Sequence, residues 1–125
     1  MPGGGRVAFG ARGEDAAAAW YREASYEVLA RNWRCAEGEI DLVARSAAGD
    51  VVVFCEVKTR ASARFGSPFE AVTAGKQRRL RRLATRWLHG HRPGGSRYER
   101  VRFDVAAVTR GPDGALEVEV LEDAF

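Results

Sequence analysis

The 125-residue chain predicts a single α/β domain in which a central β-sheet is flanked by helices. Three observations carry this. An apolar share of 46% and a charged share of 30% belong to one globular core rather than to a disordered chain. Residues 26 to 58 hold three short stretches of strand character, two of them joined by the loop Ser46-Ala47-Ala48-Gly49-Asp50. Before and after them lie an alanine-rich and an arginine-rich stretch with apolar residues at helical spacing.

Residues 1–12 are rich in glycine and small side chains and read as a flexible leader to a single domain over 13–125. Glu14 to Ala24 sets Ala17, Trp20, Tyr21 and Ala24 on one helical stripe, which predicts the first helix. Tyr26 to Trp33 then alternates as a half-buried strand. Glu39 to Arg45 and Val51 to Lys58 form a second and third strand around a hairpin loop. Ser67-Pro68-Phe69-Glu70 signals a short helix to about Thr73, with Ser67 as cap, Pro68 at the first helical position and Glu70 closing a capping box. A longer helix runs to about Leu88, with Leu80, Leu83, Ala84, Trp87 and Leu88 inward and Arg78, Arg79, Arg82 and Arg86 mostly outside. Gly90 ends it. After a Pro/Gly/Ser loop, Arg100 to Thr109 is the fourth strand, residues 111–114 a turn and Leu116 to Leu121 the closing strand.

The longest apolar run, around Val51 to Cys55, is too short to cross a bilayer, and the start Met-Pro-Gly-Gly-Gly-Arg lacks the apolar core of a secretory signal. A cytoplasmic protein with no membrane partner is expected. Cys35 and Cys55 make no closely spaced metal-binding pair and read as ordinary small residues. The net charge of +3 is modest, but its distribution is uneven. Basic residues crowd between Lys76 and Arg102 against the single acid Glu99, and acids take over beyond Gly111. One reading is a face that attracts phosphates; the other is the solvated outside of a helix.

Acids stand inside the second and third strands. Residues two apart share a face, which groups Glu39, Asp41 and Val43, and likewise Phe54, Glu56 and Lys58. If Ser46 faces Val51 across the loop, Asp41 falls opposite Glu56 and Glu39 opposite Lys58; a one-residue slip would separate them. Opposed Cβ atoms lie roughly 4.5 to 5.5 Å apart, close enough for two carboxylates to repel unless something neutralises them. A hard divalent cation would do so, taking oxygens from Asp41, Glu56 and the Val57 carbonyl. Lys58, on the same side, would orient water or stabilise charge on a phosphate. The plainer alternative is an edge strand with inward charges and an ordinary Glu-Lys pair, although Val51 to Cys55 reads as buried on both faces. Spacing alone leaves both open.

The segments Gly13-Glu14-Asp15, Asn32-Trp33-Arg34, Gly38-Glu39-Ile40-Asp41-Leu42-Val43, Phe54-Cys55-Glu56-Val57-Lys58-Thr59-Arg60, Phe65-Gly66-Ser67-Pro68, Lys76-Gln77-Arg78 and Arg102-Phe103-Asp104-Val105 span nearly the whole chain. An Asp on one strand and Glu-x-Lys on the next resembles the PD-(D/E)-x-K nuclease superfamily, which includes restriction endonucleases and archaeal Holliday-junction resolvases. The match is closer to the bacterial YraN-like family, whose members are taken to be endonucleases. Ile40 stands where the signature's proline would precede Asp41. The resemblance implies a restriction-endonuclease-like core with a mixed sheet. It implies Asp41 and Glu56 as acids holding Mg²⁺ or Mn²⁺, Lys58 as the catalytic lysine, and Glu14 as a helix-borne acid supporting the site. It also implies DNA as substrate, branched or structured DNA included, and makes a homodimer a candidate assembly.

The remaining residues keep two readings each. Glu14 either serves the site or answers the helix dipole. Gln77 either steadies a water or phosphate or is a plain exposed residue, and Glu39 either reaches the site, pairs with Lys58 or is a sheet-surface acid. Arg60 and Arg64 in the loop after Lys58, with Lys76, Arg78, Arg79 and Arg82 on the long helix, are the expected sequence-independent contacts to a phosphate backbone. Asp104 reads as part of an ion pair with Arg100 or Arg102. His89 and His91 go with the helix end, Trp20 and Trp87 with the core, and Trp33 is the candidate for exposure and base stacking. A metal-dependent endonuclease is the function expected; a non-catalytic nucleic-acid-binding protein on a nuclease fold is the alternative.

Overall fold

The computed structural model describes residues 4–61, 69, 72–91 and 98–125. The elements run α1 (Gly4–Glu23), β1 (Glu27–Cys35), β2 (Gly38–Arg45), β3 (Val51–Arg60), α2 (Ala74–Gly90), β4 (Arg100–Arg110) and β5 (Leu116–Leu121). The five strands form one mixed sheet in sequence order. Neighbours pair antiparallel except β3 and β4, which pair parallel. Parallel neighbours need a long crossover, and α2 supplies it.

The two helices cover opposite faces. On one, Ala17, Ala18 and Tyr21 of α1 pack on Leu42, Ala44, Val53, Cys55, Ala106 and Val108. On the other, Leu80, Leu83, Ala84 and Trp87 of α2 pack on Ile40, Val43, Val52, Phe54 and Phe103. Val52, Val53, Phe54 and Cys55 are all buried, as the unbroken apolar run of a central strand requires. Both cysteines are free. Among the described residues no helix is long and apolar enough to cross a membrane.

α1 begins at Gly4 rather than at Glu14 and takes in most of the stretch read as a leader. Once a packed turn exists, each further residue adds one hydrogen bond. Glycines costing about 1 kcal/mol apiece therefore thin the helix without forbidding it. One glycine is placed by contact: a Cβ on Gly13 would overlap the Thr59 side chain of β3.

α2 starts at Ala74, with Thr73 as its cap and the Thr73 hydroxyl accepting the Lys76 N–H at 3.3 Å. The short helix expected from Ser67 lies outside the described residues apart from Phe69, Val72 and Thr73. Gly90 is the last helical residue, and His91 leaves in an extended conformation.

Asp104 is fully buried and fully partnered. It accepts the Tyr21 hydroxyl at 2.6 Å, Arg102 Nε and Nη2 at 2.9 Å each, and the Asp123 N–H at 2.9 Å. Of the two arginines expected beside it, Arg102 is the one bonded to it, whereas Arg100 pairs with Asp123. This network ties α1, β4 and the chain after β5 into one unit, and Phe125 stacks on Phe103 at 5.2 Å.

Candidate active site

β2 and β3 pair in the register read from their loop: Arg45 faces Val52, Ala44 faces Val53, Val43 faces Phe54 and Leu42 faces Cys55, with the Ser46 N–H on the Val51 carbonyl. The next step would set Asp41 across from Glu56. The ladder stops one residue short of it. There Asp41 Oδ2 accepts the Val57 N–H at 2.8 Å, so a side chain does the work of a strand carbonyl.

Strict alternation fails at the same place. Leu42 and Ala44 pack toward α1, yet Ile40 packs toward α2 beside Val43, three residues away. The expected shared face of Asp41 and Val43 is thereby broken, because Val43 faces α2 while Asp41 reaches Glu14 of α1. On β1 the register holds from Arg31↔Leu42 to Trp33↔Ile40, but the intervening pair Asn32–Asp41 is missing, and Asn32 has a φ of 52°. Asn tolerates this left-handed backbone better than most residues, so Asn32 was the available sequence signal for the kink.

Asp41, Glu39 and Glu14 each offer a carboxylate oxygen within 4.8 Å of the other two. Glu14 is aimed by its neighbours: Gly13 lies against Thr59, and Asp15 is bonded to Arg31 of β1. Glu39 is also paired with Arg34 Nε at 3.0 Å and not with Lys58. Lys58 Nζ lies 3.3 Å from Glu56 Oε1 instead, with both side chains about one-fifth exposed at 17% and 19%. Sequence parity groups Asp41 with Glu39 and Glu56; the described cluster joins Asp41 with Glu39 and adds Glu14, while Glu56, whose charge acts on Asp41, is paired with Lys58.

Crowding shows in the Asp41 carboxyl, which is raised from 3.8 to about 7. Burial is the largest cause, followed by the charge of Glu56; Glu14 and Glu39 add to it, and the Val57 N–H acts in the opposite direction. Three hard oxygen donors with mutual repulsion suit a divalent cation. The residues present fit Mg²⁺ or Mn²⁺.

Among the cations, Lys76 lies against Lys58, and that contact pushes the Lys76 ammonium below the ordinary lysine range, through its hydrogen bond first and its charge second. Arg60 is exposed at the end of β3, and Arg78, Arg79 and Arg82 are exposed on α2. Arg64 lies outside the described residues. Gln77 Nε2 donates to the Val72 carbonyl at 3.1 Å, which ties it to the chain ahead of α2. Trp33 is half-buried, edge-on to His91, so it is less open than its polar neighbours imply. The Lys58–Lys76 contact had no sequence signal, since it depends on where the crossover returns α2.

Fold and cluster together define a single-domain α/β protein with an acidic centre where two sheet strands part. The chain belongs to the uncharacterised protein family UPF0102, which matches residues 13–108. It is similar to a UPF0102 protein of Rhodococcus jostii, 50% identical over 119 residues, covering 95% of this chain and 97% of the relative. A UPF0102 protein of Frankia alni is 50% identical over 120 residues, with 94% of each chain covered. One of Symbiobacterium thermophilum is 49% identical over 116 residues, covering 93% of this chain and 94% of the relative.

Proposed function

We propose that this protein is a metal-dependent endonuclease of the PD-(D/E)-x-K type that hydrolyses phosphodiester bonds in nucleic acid, DNA foremost and branched or structured DNA among its forms. The observation that carries the reading is the convergence of Glu14, Glu39 and Asp41 within 4.8 Å beside the Glu56–Lys58 pair. Such a group has no structural use as neat as the Asp104 network, whose charges are balanced in place.

Glu14, Glu39 and Asp41 would hold Mg²⁺ or Mn²⁺, with Glu56 supplying further negative field. When bound, the ion lowers the pKa of a water and offsets the charge of the phosphate. Lys58 is fixed in direction by Glu56, ready to orient an attacking water and to donate to the oxygens on which charge grows. Asp41 keeps its place through the Val57 N–H, so its carboxylate does not depend on substrate for its aim. A second copy of the chain would allow paired cuts across a junction.

The test is incubation of labelled duplex, single-stranded, flap and four-way-junction DNA with Mg²⁺, Mn²⁺ or EDTA. Cleavage of at least one substrate is expected with metal only, falling at least about 100-fold in Asp41→Asn and Lys58→Met, the scale of losing one stabilising group in the transition state. Cleavage that persists in EDTA or in both variants would sink the site. Binding without cleavage on every substrate would make this a nucleic-acid-binding protein on a nuclease fold.

A further inference from the structure

The arginines of α2 are alike in sequence and unlike in place. Arg86 Nη1 is bonded to Glu37 Oε1 at 2.6 Å. Arg81 lies over the Phe103 ring at 4.9 Å and the Phe125 ring at 5.6 Å. Both fasten α2 to neighbouring elements. Arg79 and Arg82 are exposed and meet no acid among the described residues. The Arg79 stem crosses the β1–β2 turn, where a Cβ on Gly38 would touch its Cδ at 3.6 Å. At the head of the same helix Lys76 lies against Lys58.

Lys76, Arg79 and Arg82 recur every three residues, which makes an inclined ridge that climbs about 9 Å along the axis at 1.5 Å rise per residue. Its near end, Lys76, lies against the candidate catalytic Lys58, and its middle residue, Arg79, lies along the β1–β2 turn. We propose that Lys76, Arg79 and Arg82 form a phosphate-binding ridge along α2 that leads one strand of a nucleic acid to Lys58. The destination of the strand rests on the nuclease reading; the ridge rests on unpaired charge. The row offers guanidinium and ammonium groups alone, so it reads backbone and not base sequence.

Binding to labelled duplex and single-stranded DNA, measured by anisotropy in EDTA between about 50 and 200 mM salt, tests this without any cleavage. The Arg79→Gln/Arg82→Gln protein should show a log–log salt slope shallower by about 1.8 on duplex and 1.4 on single strands, two contacts' worth. The Arg81→Gln/Arg86→Gln protein, checked for folding by circular dichroism, should keep the wild-type slope. An unchanged slope in the first variant, an equal loss in the second, or no binding by the wild type overturns the ridge. A slope that responds as expected in a protein that cuts nothing keeps the ridge and removes the nuclease reading.

Discussion

Asp41 Oδ2 accepts the Val57 N–H at 2.8 Å in place of a strand partner. Along β2 and β3 the bonded pairs alternate from Ser46–Val51, so Ile40–Val57 would be the next to exchange bonds. The Val57 N–H goes to a carboxylate instead, at the point where Ile40 and Leu42 turn to opposite faces. The strands part there, and the gap is what lets Glu14 and Glu39 approach the same acid.

Asp41→Asn should make the metal-free protein more stable at neutral and alkaline pH while removing its activity. The Asp41 carboxyl is raised from 3.8 to about 7, so the folded protein binds this proton more tightly than the unfolded chain does. That contribution is fully present below about pH 4 and is lost as pH climbs through about 7. The amide keeps an acceptor for Val57 and has no proton to lose. Urea unfolding of both proteins should show a difference that grows from pH 4 to 7 and levels off at no more than about 4 kcal/mol in favour of the variant. A wild type more stable than Asp41→Asn at pH 8 without metal contradicts this.

Divalent metal should reverse the strain. At about 100 times its Kd an ion adds roughly 2.7 kcal/mol, read as a rise in Tm that Glu14→Gln and Glu39→Gln diminish. Near pH 6 Asp41 carries a proton that binding must displace. Calorimetry in two buffers of different ionisation heat should report close to one proton released at pH 6 and almost none at pH 9.

Gly13→Ala should destabilise, against the usual rule. In an open helix the change gains about 1 kcal/mol. Here the added methyl would overlap Thr59, and forcing an overlap into a packed contact costs about 1 to 3 kcal/mol. The second change Thr59→Ala should recover part of the loss. Because Glu14 is the next residue, the single variant should also bind Mn²⁺ more weakly.

The buried network around Asp104 should matter to stability and not to chemistry. Asp104→Ala takes the two close bonds from the buried Arg102, leaving it Glu122 at 3.8 Å, and removes the acceptor of the Tyr21 hydroxyl, a loss of about 3 to 5 kcal/mol. Tyr21→Phe removes one bond to a charged acceptor and should cost about 1.5 to 3 kcal/mol. Cleavage per folded molecule should be unchanged in Tyr21→Phe.

Much of this was legible in the chain. The loop from Ser46 to Asp50 gave the β2–β3 register, and the apolar run from Val51 to Cys55 gave a strand buried on both faces. Period-2 reasoning holds for Glu39 and Asp41, which do come together, and fails between Asp41 and Val43, where β2 kinks beside Asn32. What alternation could not supply is Glu14, which reaches Asp41 from α1. The start of α1 was hidden by glycines, which lower helix propensity but cannot announce a close packing contact such as that of Gly13 with Thr59. Which cations on α2 are free was also out of reach, since Glu37, Phe103 and Phe125 claim theirs through the tertiary fold.

The most direct measurement is the rate of DNA cleavage against Mn²⁺ concentration, set beside the Tm shift in the same titration. Cleavage that rises and saturates with the Tm shift in the wild type, while Asp41→Asn shows neither, is the predicted result. Cleavage in Asp41→Asn, or a wild-type rate indifferent to Mn²⁺ and EDTA, would contradict the assignment of Glu14, Glu39 and Asp41 as the metal centre.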